Sequence, residues 1–475
     1  MSGKPVSPLW EAERRGSILE VVKHRNPYPI RGRIHKVLGP MIEATGLQTS
    51  IGYACDIESA SGNMIEAEVV GFRDERTLLM PVGSTRGIAP GDTVRPRAVP
   101  PSMQVGDHLL GRVINALGEP IDNKPMTHTG ASLPLHGKPL NPYARHVIDT
   151  QMQLGVRVMD ACLPMGQGQR MGLFSGAGVG KSMLMGMLAR NSDAEINVIA
   201  LVGERSREVR EFLDVSLGDE ALKHSIVIVA TSDMPPVVRV RAALLAATIA
   251  EAFRERGKQV LLMMDSLTRF AQAQREIGLM MGEPPTSKGY TPSCFTALAE
   301  LLERAGPGET KGDISALYTV LVEGDDLSAD PIADAAMAVL DGHVVLERRL
   351  AEQGHYPAVN LLRSISRLET QLISPEMLNA ARSLRKDLAL YERMEDMINM
   401  GAYEKGTNPE LDQVIARMPQ IWQFLQQDSK KRGNRRRSQE KLMQLMAVTD
   451  VEVADATVAN VAAVNMTNQM TGAAG

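Results

Sequence analysis

Aromatic residues are scarce in this chain, 4% of 475, and cysteines number only three, Cys55, Cys162 and Cys294. The cysteines lie far apart and match no metal-ligand spacing. That excludes a disulfide scaffold or zinc module and predicts small, buried apolar residues in a reducing compartment. There is no excess of charge of one sign: 52 Lys and Arg face 56 Asp and Glu, a net −4, so nothing draws the whole chain to nucleic acid or anionic lipid. Long apolar runs are also missing. Glu11, Glu13, Arg14, Arg15 and Glu20 interrupt the first 30 residues, and Arg239 and Arg241 precede the apolar stretch from Ala242 to Ala252. Neither a secretory signal nor a membrane span is expected, which predicts a cytosolic protein. Methionine, by contrast, is frequent at 28 residues, and Met183/Met185/Met187 and Met394/Met397/Met400 are expected as core filler on helices.

The length exceeds one ordinary core, and the texture changes along it. Residues 1–28 form a short amphipathic arm, with Leu9, Trp10, Ile18, Leu19, Val21 and Val22 among charges, too short for a stable lone helix. Residues 29–98 read as short alternating runs: Ile30 to Leu38, Pro40 to Ala44, Ile51 to Ile57, Met64 to Val70, Thr77 to Val82 and Thr93-Val94. Turn residues separate them, which predicts a small β-barrel of about six strands. After a proline-rich link, residues 99–374 alternate helices with continuous apolar runs, namely Ile196 to Val202, Ile226 to Ala230, Val260 to Met264, Ile314 to Val322 and His343 to Leu346. These are the marks of buried parallel strands in a doubly wound α/β domain. Residues 375–428 carry helical spacing from Met377 to Met400 and from Pro409 to Leu425, an all-α domain. Residues 429–475 open with six positive charges in eight residues and close on an Ala, Val, Thr and Asn tail, read as a solvated connector and a poorly ordered end.

Chemistry concentrates in the α/β region. Ser175-Gly176-Ala177-Gly178-Val179-Gly180-Lys181-Ser182 follows an apolar strand and opens a helix. Glycines let successive N–H groups curl around phosphate oxygens while the helix presents its positive end. Lys181 would reach the β- and γ-phosphates of a nucleoside triphosphate such as ATP, and the Ser182 hydroxyl would ligate Mg²⁺. Ser175 stands where such loops usually begin with glycine. Asp265 ends the apolar strand from Val260, placed to orient the Mg²⁺ shell. Glu204 ends the run Ile196 to Val202, at the sheet edge where ligands sit, and could polarise an attacking water, with Arg205 beside it. The plain alternative for Glu204, Arg205, Arg207 and Glu208 is a surface ion-pair cluster.

Four segments, Gly176 to Ser182, Gly203-Glu204-Arg205-Ser206-Arg207-Glu208, Asp265-Ser266-Leu267-Thr268-Arg269 and Tyr356-Pro357-Ala358, resemble in order and spacing the catalytic subunits of rotary ATP synthases. Gly282 to Tyr290, Glu323-Gly324-Asp325-Asp326 and Leu340-Asp341-Gly342-His343 resemble the type III protein-export ATPases of that family more specifically. Asp330-Pro331-Ile332-Ala333-Asp334 and Ser364-Ile365-Ser366-Arg367 look closer to the flagellar branch than to the virulence injectisome branch. The resemblance covers residues 30 to 425. It implies Glu204 as catalytic carboxylate, Arg205 as phosphate sensor, Tyr356 as the adenine-stacking ring and Arg367 as an arginine finger supplied to a neighbouring subunit. It further implies a homo-hexamer bound peripherally at the cytoplasmic face of the inner membrane. Implied partners are a stator-like regulator at the arm, a central stalk protein, export gate membrane proteins, and export substrates with their chaperones.

Three other classes compete: a rotary ATP synthase subunit, a non-catalytic nucleotide-binding ring subunit and a ring that translocates RNA. Glu204 argues against the second. The third needs aromatic platforms for bases, and residues 30–98 hold only Tyr53 and Phe72, so no nucleic-acid partner is expected.

Overall fold

The structure, a computed structural model, describes residues 31–447 apart from 128, 138, 139, 310, 323, 325 and 328. The arm at 1–28, the tail at 449–475, and Glu323 and Asp325 of the export-type motif lie outside the described residues. Two compact units divide at Pro101 and Ser102.

The first unit is a closed six-stranded barrel. Its strands are β1 (Gly32–Leu38), β2 (Met41–Thr45), β3 (Ala54–Glu58), β4 (Met64–Arg73), β5 (Arg76–Pro81) and β6 (Thr93–Pro96), in the order β1-β2-β5-β4-β3-β6. Alternation sends Ile34, Ile42, Ala44, Cys55, Ile57, Ala67, Val69, Leu79 and Val94 inward. β6 pairs back onto β1, so no strand edge is left unpaired. Outside, Arg97 bridges Asp56 at 2.7 Å and Glu66 at 2.9 Å. Burial pushes the Cys55 thiol up to about 11, and Cys162 and Cys294, also free and buried, up to about 12. All three are inert packing atoms, as their spacing suggested.

The second unit is built on a nine-stranded sheet whose main path has eight strands. In chain order these are β7 (Arg112–Asn115), β8 (Arg170–Ser175), β9 (Ile196–Glu204), β10 (Ser225–Thr231), β11 (Gln259–Asp265), β12 (Asp313–Leu321), β13 (Gly342–Leu346) and β14 (Val359–Ser366). Their order across the sheet is β14-β13-β8-β12-β11-β9-β10-β7, parallel except for the β13–β14 hairpin. The five apolar runs read from the sequence are β9 to β13. The sequence reading missed β7 and β14. β7 is four residues long, and β14 carries Asn360, Arg363, Ser364 and Ser366, which break an apolar run.

Helices pack on both faces of the sheet. α1 (Lys181–Asn191) follows β8, α2 (Pro236–Glu255) follows β10 and α3 (Leu267–Met281) follows β11. On α2, Leu245, Ile249 and Phe253 are at most 1% exposed, each contributing about 1.5–3 kcal/mol of apolar burial.

α4 (Pro375–Asn399) and α5 (Pro409–Leu425) form the helical region. Each starts with proline after a capping side chain: Ser374 accepts the Met377 N–H and Asn408 accepts the Leu411 N–H. Arg417 on α5 pairs with Asp387 on α4 at 2.5 Å. Met185 and Met187 are buried, as expected, but Met183 on the same helix is 38% exposed, and Met397 and Met400 are 42% and 74% exposed at the far end of α4, so those methionines are surface. The basic run also differs from the connector expected. Arg435 opens a further helix, α6 (435–447), in which Leu442 and Met446 are buried in the main core. Two apolar residues four apart make a packing stripe that the neighbouring charges obscured. Among the described residues no helix is long and apolar enough to cross a membrane.

Candidate functional site

The loop from Gly176 to Gly180 leaves β8 at the carboxyl edge of the sheet. Gly178 (φ 78°) and Gly180 (φ 94°) take the left-handed backbone of a tight bend, and a side chain at either would be strained. A Cβ on Gly178 would meet nothing within 4 Å, so the space beside it is open. Ser175 is 2% exposed and its Oγ has no hydrogen-bond partner among the described residues. Ser182, one residue into α1, is exposed.

Lys181 is the hub of the site. Its Nζ lies 2.5 Å from Asp265 Oδ1 and 3.7 Å from Glu204 Oε1, with all three side chains largely buried. Burial opposes the ammonium charge, but Asp265, Glu204 and Glu208 outweigh it and hold the Lys181 pKa above its ordinary value. Asp265, at the end of β11, also accepts the Thr319 hydroxyl at 2.7 Å from the adjacent β12. Glu204 owes its direction to a bulge: pairing of β9 with β10 skips Gly203, at φ 72°. A Cβ on Gly203 would sit 2.8 Å from Arg269 Cβ, so only glycine fits at the bend.

The structure splits the Gly203–Glu208 motif. Glu204 turns inward to Lys181. Arg205, with a side chain 75% exposed, pairs with Glu208 at 3.3 Å on the helix surface, followed by Arg207–Glu211 and Arg210–Asp214. The ion-pair cluster and the inward carboxylate therefore coexist.

Tyr356 is 47% exposed, and its ring carbons stand 3.4 and 3.5 Å from where a Gly180 Cβ would be, beside the start of α1. Arg348, on the same β13–β14 connection, donates to Ala177 O in the loop at 3.3 Å. Arg367 lies elsewhere. It follows β14, its N–H donates to Asp341 O, and Asp341 N–H donates to Arg170 O at the start of β8. The phosphate loop leaves the other end of β8, about 17 Å away at 3.3 Å per residue. Arg367 is thus exposed at the opposite sheet edge from the loop of its own chain.

Three comparisons bear on this arrangement. Residues 34–97 match the ATP synthase alpha/beta family beta-barrel domain, 155–366 that family's nucleotide-binding domain, and 373–444 the T3SS EscN ATPase C-terminal domain. The flagellum-specific ATP synthase of Bacillus subtilis is 49% identical over 86% of this chain and 94% of its own.

The chain belongs to the ATP synthase α/β family. Other relatives are the flagellum-specific ATP synthase of Pseudomonas aeruginosa, 47% identical over 88% of this chain and 93% of its own, and the type 3 secretion system ATPase of Xanthomonas euvesicatoria, 46% over 83% and 89%. The assembled ATPase EscN of the enteropathogenic E. coli type III secretion system superposes with a TM-score of 0.83 at 41% identity, covering 87% of this chain and all of that one. EscN in complex with its central stalk EscO gives 0.80 at 40%, with the same coverage. The EscN domain model runs to residue 444, into α6, past the limit of 425 set by the motifs.

Sequence reasoning missed Thr319 and Arg348 around the site. Thr319 hides in an apolar strand, and Arg348 is one basic residue among many, so neither left a local signal.

In this ATPase, burial, the Asp265 charge and a hydrogen bond to Glu208 together outweigh Lys181 and push the Glu204 carboxyl up to about 7. The same contact, with burial opposing it, holds Glu208 below its usual range. The ionised, base-competent form of Glu204 therefore accumulates only as pH rises through about 7. With Glu204 as general base, kcat/KM is expected to fall about tenfold per pH unit below that value and to level off above it. A profile flat down to about pH 5.5 would contradict this assignment.

Proposed function

We propose that the chain is the MgATP-hydrolysing motor of a bacterial flagellar type III protein export apparatus, working as a homo-hexamer that energises unfolding and delivery of export substrates. The observation that carries this reading is the buried grouping of Lys181, Glu204 and Asp265 at a glycine loop. Identity to flagellum-specific ATP synthases over most of the chain supports the flagellar branch.

The residues fit a nucleoside triphosphate with its cation. Positive-φ glycines line an open bend, Ser175 Oγ is an unpaired buried polar atom at its root, and Lys181 supplies a fixed positive charge. The loop N–H groups, from Ser175, Gly176, Ala177, Gly178, Val179 and Gly180 to Lys181 and Ser182, would bind phosphate oxygens. Among the described residues no three carboxylate, His or Cys side chains form a metal cage, which suits an ion held mainly by phosphates and water. Ser182 and Asp265 would hold Mg²⁺, which when bound neutralises developing phosphate charge.

Within the chain, Glu204 takes a proton from water aimed at the γ-phosphate, and Lys181 draws charge toward the β- and γ-oxygens. Arg205, free to leave its surface pair with Glu208, reaches the phosphate as a sensor. Tyr356 stacks on adenine with its solvent-facing side.

Arg367 serves a neighbouring copy, since its own loop is at the far edge of the sheet. Arg367→Ala is expected to leave ATP binding intact and to lower ring turnover by about 10³-fold. Mixing Arg367→Ala with Lys181→Ala subunits should restore part of the activity, because one inactive chain supplies the finger and the other the loop. Mixed rings as inactive as the parents would sink the assignment in trans.

By analogy with the EscN–EscO assembly, a central stalk protein is the expected partner of the helical region. The stator-like regulator would meet the arm. Substrates with chaperones and the membrane export gate complete the set, at the cytoplasmic face of the inner membrane. The injectisome reading has its own support in the 46% identical type 3 secretion system ATPase. Deleting the gene decides between them: loss of filaments and swimming supports the flagellar role, and loss of injected effectors with swimming intact overturns it.

A further inference from the structure

The chain after α5 returns to the α/β domain by way of one buried glutamine. Gln427 is 7% exposed, and every polar atom of its side chain is engaged. Its Oε1 accepts the Arg157 N–H at 2.8 Å, and its Nε2 donates to Gly155 O at 3.0 Å and to Lys431 O at 2.9 Å. A buried amide is tolerated only when satisfied in this way, and once satisfied it holds its backbone in one place. That backbone matters, because the Gln427 N–H donates to the carbonyl of Tyr356 at 2.9 Å.

The anchor beneath Gln427 is rigid. The Asp160 carboxylate, 1% exposed, accepts the N–H groups of Leu154 and Gly155 at 2.7 and 2.9 Å. Gly155, at φ 72°, presses against Asn191 at the end of α1, where a Cβ would come within 2.3 Å of Asn191 Cβ. Gly433 N–H donates to Gly155 O, Arg190 of α1 donates to Ser429 O, and Arg157 donates to the Gln423 and Phe424 carbonyls at the end of α5. Segment 426–435 is therefore tied to the carboxyl end of α1, to α5 and to the backbone of Tyr356, whose ring stands at the amino end of α1.

We propose that Gln427 is a positioning residue for the nucleotide base: its side chain fixes the strap 426–435 so that the Tyr356 ring is held where the adenine stacks. This rests on the adenine-stacking reading of Tyr356, and the test separates the two.

Gln427→Glu keeps the shape and the Oε1 acceptor but replaces two donors with a carboxylate facing two carbonyls; Gln427→Ala removes all three contacts. In the full-length protein, both are expected to raise KM and Kd for MgATP by about five- to tenfold with kcat within about twofold. Binding of inorganic tripolyphosphate, which has no base to stack, should be unchanged. On a Tyr356→Ala background neither substitution should weaken ATP binding further, because residues acting through one group are not additive. Equal losses for ATP and tripolyphosphate, additive losses with Tyr356→Ala, or unchanged ATP affinity would each overturn the proposal. Should Gln427→Ala fail to fold, Gln427→Glu alone carries the same comparisons. Tyr356→Ala read by itself tests the underlying assignment: an unaltered ATP affinity there removes adenine stacking, whatever the Gln427 variants do.

Discussion

Glu204→Gln is expected to bind MgATP about as tightly as the unaltered protein and to lose hydrolysis by about 10²–10⁴-fold, the usual contribution of a positioned base. The amide keeps the size and the acceptor oxygen facing Lys181, so the 3.7 Å contact survives in weakened form and the loop keeps its shape. What disappears is the ability to accept a proton, since a glutamine cannot be ionised at any pH. The variant should also lose the fall in rate below about pH 7 that Glu204 imposes. Single-turnover hydrolysis beside nucleotide binding by fluorescence reads both effects. Near-normal turnover, or a matching loss of binding, would remove Glu204 from the role of base and return it to the ion-pair cluster that Arg205, Arg207 and Arg210 form on the adjoining helix.

Lys181→Ala is expected to fail one step earlier, at binding. Among the described residues the ammonium is the only cation paired with both Glu204 and Asp265, so its removal leaves two buried carboxylates facing the position that phosphates would take. Loss of one partner from such a buried charged group costs about 2–5 kcal/mol, or roughly 30-fold to several thousand-fold in MgATP affinity. Equilibrium binding of ATP at constant free Mg²⁺ measures it. Retention of affinity with loss of turnover would mean that the loop amides alone hold the nucleotide. The two variants are thus separable: one binds and does not hydrolyse, and the other does not bind.

Much of this was legible before any coordinates. The barrel showed itself through period-two alternation, and the parallel strands through apolar runs buried on both faces, because local chain geometry dictates both patterns. The phosphate loop was legible because glycine, lysine and serine at that spacing answer a local need of backbone and charge. Glu204 and Asp265 were legible as carboxylates at strand ends. α6 was not, since its two buried residues are outnumbered by charges that face solvent, and Met397 and Met400 were placed in a core that they do not reach.

By itself, then, the sequence determined the order barrel, α/β domain, helices, and a loop built for phosphate. Those depend on residues near one another along the chain. Tertiary structure alone decided which groups meet: that the Gly203 bulge turns Glu204 inward while Arg205 stays on the surface, and that Thr319, from a strand more than fifty positions away, holds Asp265. It also decided that Arg367 faces away from its own loop and that Gln427 reaches Tyr356. Such contacts follow from strand order and the path of the returning chain, and no local spacing encodes either.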